Sequence, residues 1–120
     1  MLALRQEQMV AFSQYMRNGF IKRMVRHLRQ QFPQKTQSFD HNNLSTIVEQ
    51  GISKAEQYKI YRECDVERYL DLMFLLTIDF DTHYQTPWAN PILRKDWEAS
   101  VKLDVLHTKA EIFLRGRDYA

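Results

Sequence analysis

The sequence predicts an all-α protein, a small bundle of four main helices with a buried third helix, built from residues 1–120 as a single helical domain. Two observations carry this. Three Gly and three Pro punctuate 120 residues, too few for the many tight turns of a strand-rich fold. Apolar residues also recur at steps of three and four along most of the chain, the spacing of one helix face. An apolar fraction of 44% against 27% charged is that of a globular protein able to bury a core, which argues against disorder.

The first helix is expected over 2–32. Leu2, Met9, Phe12, Met16, Phe20, Met24 and Leu28 form its stripe, Ile21, Val25 and Phe32 widen it in the second half, and Pro33 ends it. Residues 34–43 have no apolar period and read as a loop. Asn43 is the expected N-cap of a second helix with Leu44, Ile47, Val48, Gly51, Ile52, Ala55 and Tyr58 on one face. Ser53 and Glu56 match a capping box, so a break near Gly51 is the alternative to a continuous helix. The third helix, 62–78, opens with Glu63, Asp65 and Glu67, where the helix dipole favours acids. Its run Leu72-Met73-Phe74-Leu75-Leu76 is apolar all round, which predicts burial. Asp96 is the expected cap of a last helix running to about Leu114, with Gly116 just past its end.

That last helix carries two stripes. Ala99, Leu103, Leu106, Ala110, Phe113 and Leu114 make one; Trp97, Val101, Val105 and Ile112 make the other, roughly opposite. Either the rest of the chain covers the second stripe or a partner does, a second copy of the chain included, since an exposed apolar patch marks an interaction surface.

Charge is distributed unevenly. Residues 1–39 hold seven Lys/Arg against Glu7 alone, while the remainder holds ten basic and fourteen acidic groups. Lys22, Arg26 and Arg29 share a face opposite the apolar stripe of the first helix. A solvated surface explains them most simply; an acidic protein partner or nucleic acid phosphates are the alternatives. Nucleic acid is the weaker of these, because no loop interleaves aromatics with basic residues and no compact helix-turn-helix pattern is present.

The segment Asp79-Phe80-Asp81-Thr82-His83 invites a metal or proton-transfer reading. A metal needs three or more ligands at defined spacing, and His27, His41 and His107 stand in no such relation to it. The expectation is therefore no metal and no cofactor: Asp79 and Asp81 end the third helix and cap the turn that follows, and Phe80 and Trp88 fold back onto the core. Cys64, between two acids, is a poor nucleophile, and phosphate-loop and nucleophile-elbow motifs are missing, so the chain is expected not to be an enzyme. One cysteine permits no intrachain disulfide, no stretch approaches the roughly 18 apolar residues of a membrane span, and Arg5, Gln6 and Glu7 interrupt any signal-peptide core. A cytoplasmic setting is the expectation.

Residues 51–93 carry Gly51-Ile52, Ala55, Tyr58, Ile60, Asp65-Val66, Leu72-Met73, Phe80-Asp81 and Pro87-Trp88-Ala89 in that order. This resembles a group of small helical proteins encoded beside effectors of bacterial type VI secretion. Lys59 and Thr77 depart from it, standing where that group has glycine. The resemblance implies an adaptor or chaperone-like partner for an effector toxin, or for the machinery that loads it. An immunity protein that neutralises a toxin is the alternative. Tyr58, Ile60, Phe80, Asp81 and Trp88 then read as fold-specifying, leaving the second stripe of the last helix and the basic face of the first as partner surfaces.

Overall fold

In a computed structural model, which describes the backbone of residues 2–119 and the side chains of 14–116, the chain is all-α. Six helices lie among the described residues: α1 (Leu2–Gln31), α2 (Pro33–Thr36), α3 (His41–Gln57), α4 (Glu63–Leu75), α5 (Ala89–Leu93) and α6 (Ala99–Tyr119). The four long ones are the expected four; α2 and α5 are short additions. By internal contacts the chain divides into two compact units, 1–49 and 50–120, with the boundary inside α3.

In the first unit, the buried face of α1 starts at Phe20 and continues through Ile21, Met24, Val25 and Leu28. Met16, placed on that stripe by its spacing, is exposed, and Leu2, Met9 and Phe12 lie outside the described side chains. Pro33 does more than stop α1. It opens α2, because a proline's missing N–H costs nothing in a first turn and Phe32 has already left helical geometry (φ −131°, ψ 61°). The region read as a loop over 34–43 is therefore a helical turn followed by a short connection. Arg29 holds it: its guanidinium donates to the carbonyls of Thr36 (3.1 Å) and Phe39 (2.9 Å). Thr36, buried, donates its hydroxyl to the Phe32 carbonyl at 2.8 Å.

The cap of α3 is Asp40 rather than Asn43. The Asp40 carboxylate accepts the Asn43 amide at 2.7 Å and its carbonyl accepts the Leu44 amide at 3.0 Å, the bonds an N-cap supplies to the first turn. The helix consequently starts at His41. It runs unbroken through Gly51, and the reason for glycine lies across the packing: a Cβ there would come within 2.4 Å of Leu70 Cδ2 and 2.8 Å of Met73 Sδ. Its missing side chain lets two residues of α4 lie against α3.

The second unit begins in α3 and turns at its C-terminus. The Ile60 amide donates to the Ala55 carbonyl (2.9 Å), the Lys59 amide to that of Glu56 (3.0 Å), and Lys59 is left-handed with φ 63°. This is a Schellman cap, with fully buried Ile60 and Ala55 as its apolar pair. Lysine therefore sits where glycine is favoured. A left-handed L-residue costs roughly 1–2 kcal/mol, partly offset by the roughly 0.5–1 kcal/mol entropic penalty of glycine. Replacing Lys59 with Gly is expected to stabilise the protein by about 0.5–1 kcal/mol, visible as a higher urea midpoint at unchanged m-value. The second departure, Thr77, uses no left-handed backbone; its hydroxyl donates to the Asp79 carboxylate at 2.8 Å.

α4 buries Val66, Tyr69, Leu70, Leu72, Met73 and Phe74, the broad burial its composition predicts. It ends at Leu75, three residues short of expectation, and Leu75 and Leu76 are half-buried. Leu76 leaves helical geometry at φ −105°, ψ −93°. A run of turns follows, with amide-to-carbonyl bonds Phe80–Thr77, Thr82–Asp79, Thr86–His83 and Ala89–Thr86, leading into α5. Pro91 falls in the first turn of α5, where it is tolerated. α6 starts at Ala99, because the Val101 and Lys102 amides both bond to the Glu98 carbonyl (3.1 Å each); the start expected from an Asp96 cap is too early. At the other end Gly116 is inside the helix, which continues to Tyr119. Leu103, Leu106 and Ala110 form its buried face, packed with α4 and α5. Arg68 and Asp104 pair at 2.6 Å across the α4–α6 contact, and His107 meets the Arg68 carbonyl at 3.1 Å.

Candidate functional site

The three suspect side chains of the 79–83 turn go three separate ways. Exposed Asp79 accepts the Thr77 hydroxyl. His83 Nδ1 accepts the Gln85 amide at 3.1 Å, and its ring stacks on Tyr84 with centroids 4.7 Å apart. Asp81 is buried, accepting the Tyr58 hydroxyl at 2.7 Å and the Lys54 ammonium at 3.1 Å. Among the described residues no three or more His, Cys, Asp or Glu gather as metal ligands would.

Asp81 joins the turn to the C-terminal end of α3. Tyr58 also receives a long contact from the Asn90 amide at 3.4 Å, and burial, then the bond to Asp81, push its hydroxyl up to about 12. Tyr69 lies between Tyr58 (6.3 Å) and Phe80 (5.1 Å), and burial raises its hydroxyl further still. Trp88 is half-buried, its ring 6.3 Å from Phe113. Tyr58, Ile60, Phe80, Asp81 and Trp88 thus hold helix ends and turns within the second unit.

The second apolar stripe is only partly realised: α6 starts at Ala99, so Trp97 lies before the helix rather than on its face. Trp97, Val101 and Ile112 are 42%, 44% and 62% exposed, and Val105 is half-buried. On α1, Lys22 and Arg26 are exposed, but Arg29 is half-buried and engaged with the carbonyls of Thr36 and Phe39, so the basic row is shorter than its spacing suggests.

One feature that periodicity missed is a cleft of about 320 Å³ in the second unit, lined by Gln57, Tyr58, Lys59, Leu93, Arg94, Lys95, Asp96 and Lys102. At its wall the buried Lys102 ammonium donates to the carbonyls of Tyr58 and Leu93, both at 2.9 Å. It thereby satisfies the C-terminal ends of α3 and α5, where a cation is favoured. Desolvation and the neighbouring Lys59 lower its pKa, against the opposing pull of Asp96. No signal short of tertiary structure brings these residues together, since they come from three helix ends and sit among ordinary surface charges in the sequence.

Comparison of the chain with protein-family models, with curated proteins and with solved structures returned no match. No helix among the described residues is long and apolar enough to cross a membrane.

Proposed function

We propose that this chain is a non-catalytic protein-binding protein whose partner docks on the solvent-facing stripe of Trp97, Val101 and Ile112. One observation carries the reading: Val101 and Ile112 are exposed on one flank of α6, whose opposite face is already buried, and Trp97, just before the helix, is exposed as well. Leaving such residues in water forgoes burial of about 25 cal/mol per Å² of apolar surface, and exposed apolar surface of this kind is what an interface covers. The likeness of residues 51–93 to proteins encoded beside type VI effectors supports an effector toxin, or the adaptor that loads it, as the partner, and a cytoplasmic site of action.

The test is a paired capture from native lysate with the wild-type chain and with a Val101→Asp/Ile112→Asp variant as baits. Both positions are exposed, so the far-UV circular dichroism and melting temperature are expected to stay unchanged while the co-purifying protein is lost. A variant that retains the same partner at wild-type yield excludes this face.

A further inference from the structure

The cleft between the ends of α3 and α5 and the start of α6 gathers Lys59, Arg94, Lys95 and Lys102 around a single carboxylate, Asp96. Helix C-termini attract cations, but that attraction is already met: Lys102 bonds the carbonyls of both helix ends. The other three cations are surplus to it. Desolvation first and then Lys59 lower the pKa of Lys102, against Asp96, and four cations line the cleft with that one carboxylate. The cluster is therefore short of negative charge.

Its donors are only partly engaged. An ammonium has three N–H groups, and Lys102 has given two to carbonyls. Arg94 uses Nε on the Asn90 side-chain oxygen at 2.8 Å, leaving the paired terminal nitrogens that fit an oxyanion bidentately. The Lys95 ammonium lies over the Trp97 ring, 5.1 Å from its centroid, a cation–π contact that occupies no hydrogen-bond acceptor. The left-handed cap sets the backbone from which the exposed Lys59 side chain extends. The volume exceeds that of a bare phosphate and falls at the small end of ligand pockets, about 300–1,000 Å³.

We infer that this cleft is a binding site for a doubly charged oxyanion, a phosphate monoester on a small ligand, held by Arg94, Lys59 and Lys95 with Lys102 as the buried cation at its wall. The site meets the proposed docking surface at the Lys95–Trp97 contact but does not depend on the docking reading above.

The test is a ¹⁵N-resolved NMR titration at constant ionic strength with inorganic phosphate, phenyl phosphate and succinate, with chloride as the balancing ion. Saturable shifts centred on the amides of Lys59, Arg94 and Lys95 are expected with both phosphates. Asp96→Asn should tighten binding several-fold. A Lys59→Asn/Lys95→Gln variant should weaken it at least tenfold; Asn tolerates the left-handed backbone and both lysines are exposed, so its far-UV spectrum should match wild type. A linear, unsaturable response, equal shifts at Lys22 and Arg26, or unchanged binding in the double variant would overturn the site. Succinate binding as tightly as phenyl phosphate would overturn the phosphate assignment in favour of a carboxylate ligand.

Discussion

Phe80→Ala is expected to destabilise the protein by about 3–5 kcal/mol, the range for removing a fully buried ring. Phe80 has no exposed surface and stands 5.1 Å from the Tyr69 ring, itself nearly inaccessible; such aromatic pairs add roughly 0.5–1.5 kcal/mol beyond area burial. The backbone around it makes the loss hard to absorb. Its amide donates to the Thr77 carbonyl, and its own carbonyl accepts the buried Thr86 hydroxyl at 2.8 Å, so the turn cannot slide into the vacated space without breaking those bonds. Against a total stability of roughly 5–15 kcal/mol for an ordinary domain, the effect is large. Urea denaturation should show it as a lower midpoint, with Phe80→Leu far milder, about 1–1.5 kcal/mol. Equal midpoints for the two variants would mean that the ring does not anchor the turn.

Asp81→Ala is expected to cost about 2–4 kcal/mol, mostly through Tyr58. Removing the carboxylate leaves the Tyr58 hydroxyl with only its long contact to Asn90. Lys54 contributes less, because its side chain is 46% exposed and water replaces the pairing. Asp81→Asn, which keeps an acceptor of similar shape, should lose about half as much. The pair also has a pH signature. The folded Tyr58 hydroxyl titrates at about 12 against 10.0 when free, so the folded state favours its protonated form. That contribution is complete below pH 10 and is lost as pH rises through about 12. Lys102 acts in the opposite sense. Its lowered pKa means that its buried charge opposes folding at neutral pH, and stability is regained as pH rises through the folded value toward 10.5. Comparing wild type with Tyr58→Phe cancels the Lys102 contribution and the part of the Tyr69 contribution that comes from burial, leaving the Tyr58 hydroxyl and its coupling to Tyr69. The alkaline fall between pH 10 and 12 should be shallower in the variant.

How far the sequence could be read depended on the range of the interaction responsible. The helical stripes of α3 and α4 and the buried face of α6 follow from spacing, because burial of one face acts at every third or fourth residue. Boundaries were harder. Asp40 captures the α3 cap from Asn43 because its carboxylate reaches an amide three residues on, and both residues are competent caps. Lys59 shows the same limit: its left-handed geometry is imposed by the Ile60–Ala55 bond, whereas its own preference opposes it. Arg29, placed by spacing on a solvated basic face, turns out to be a structural donor to carbonyls seven and ten residues away.

From the sequence alone came the helical class, the four long helices and the buried face of the last one, because local periodicity expresses those properties within a few residues. Tertiary structure alone decided that the outer stripe of α6 meets solvent, that Gly51 is a packing contact with Leu70 and Met73, and that Lys59, Arg94, Lys95 and Lys102 share one cleft. Each of these depends on where separate helix ends meet, and a one-dimensional pattern of apolar and charged residues carries no term for that distance.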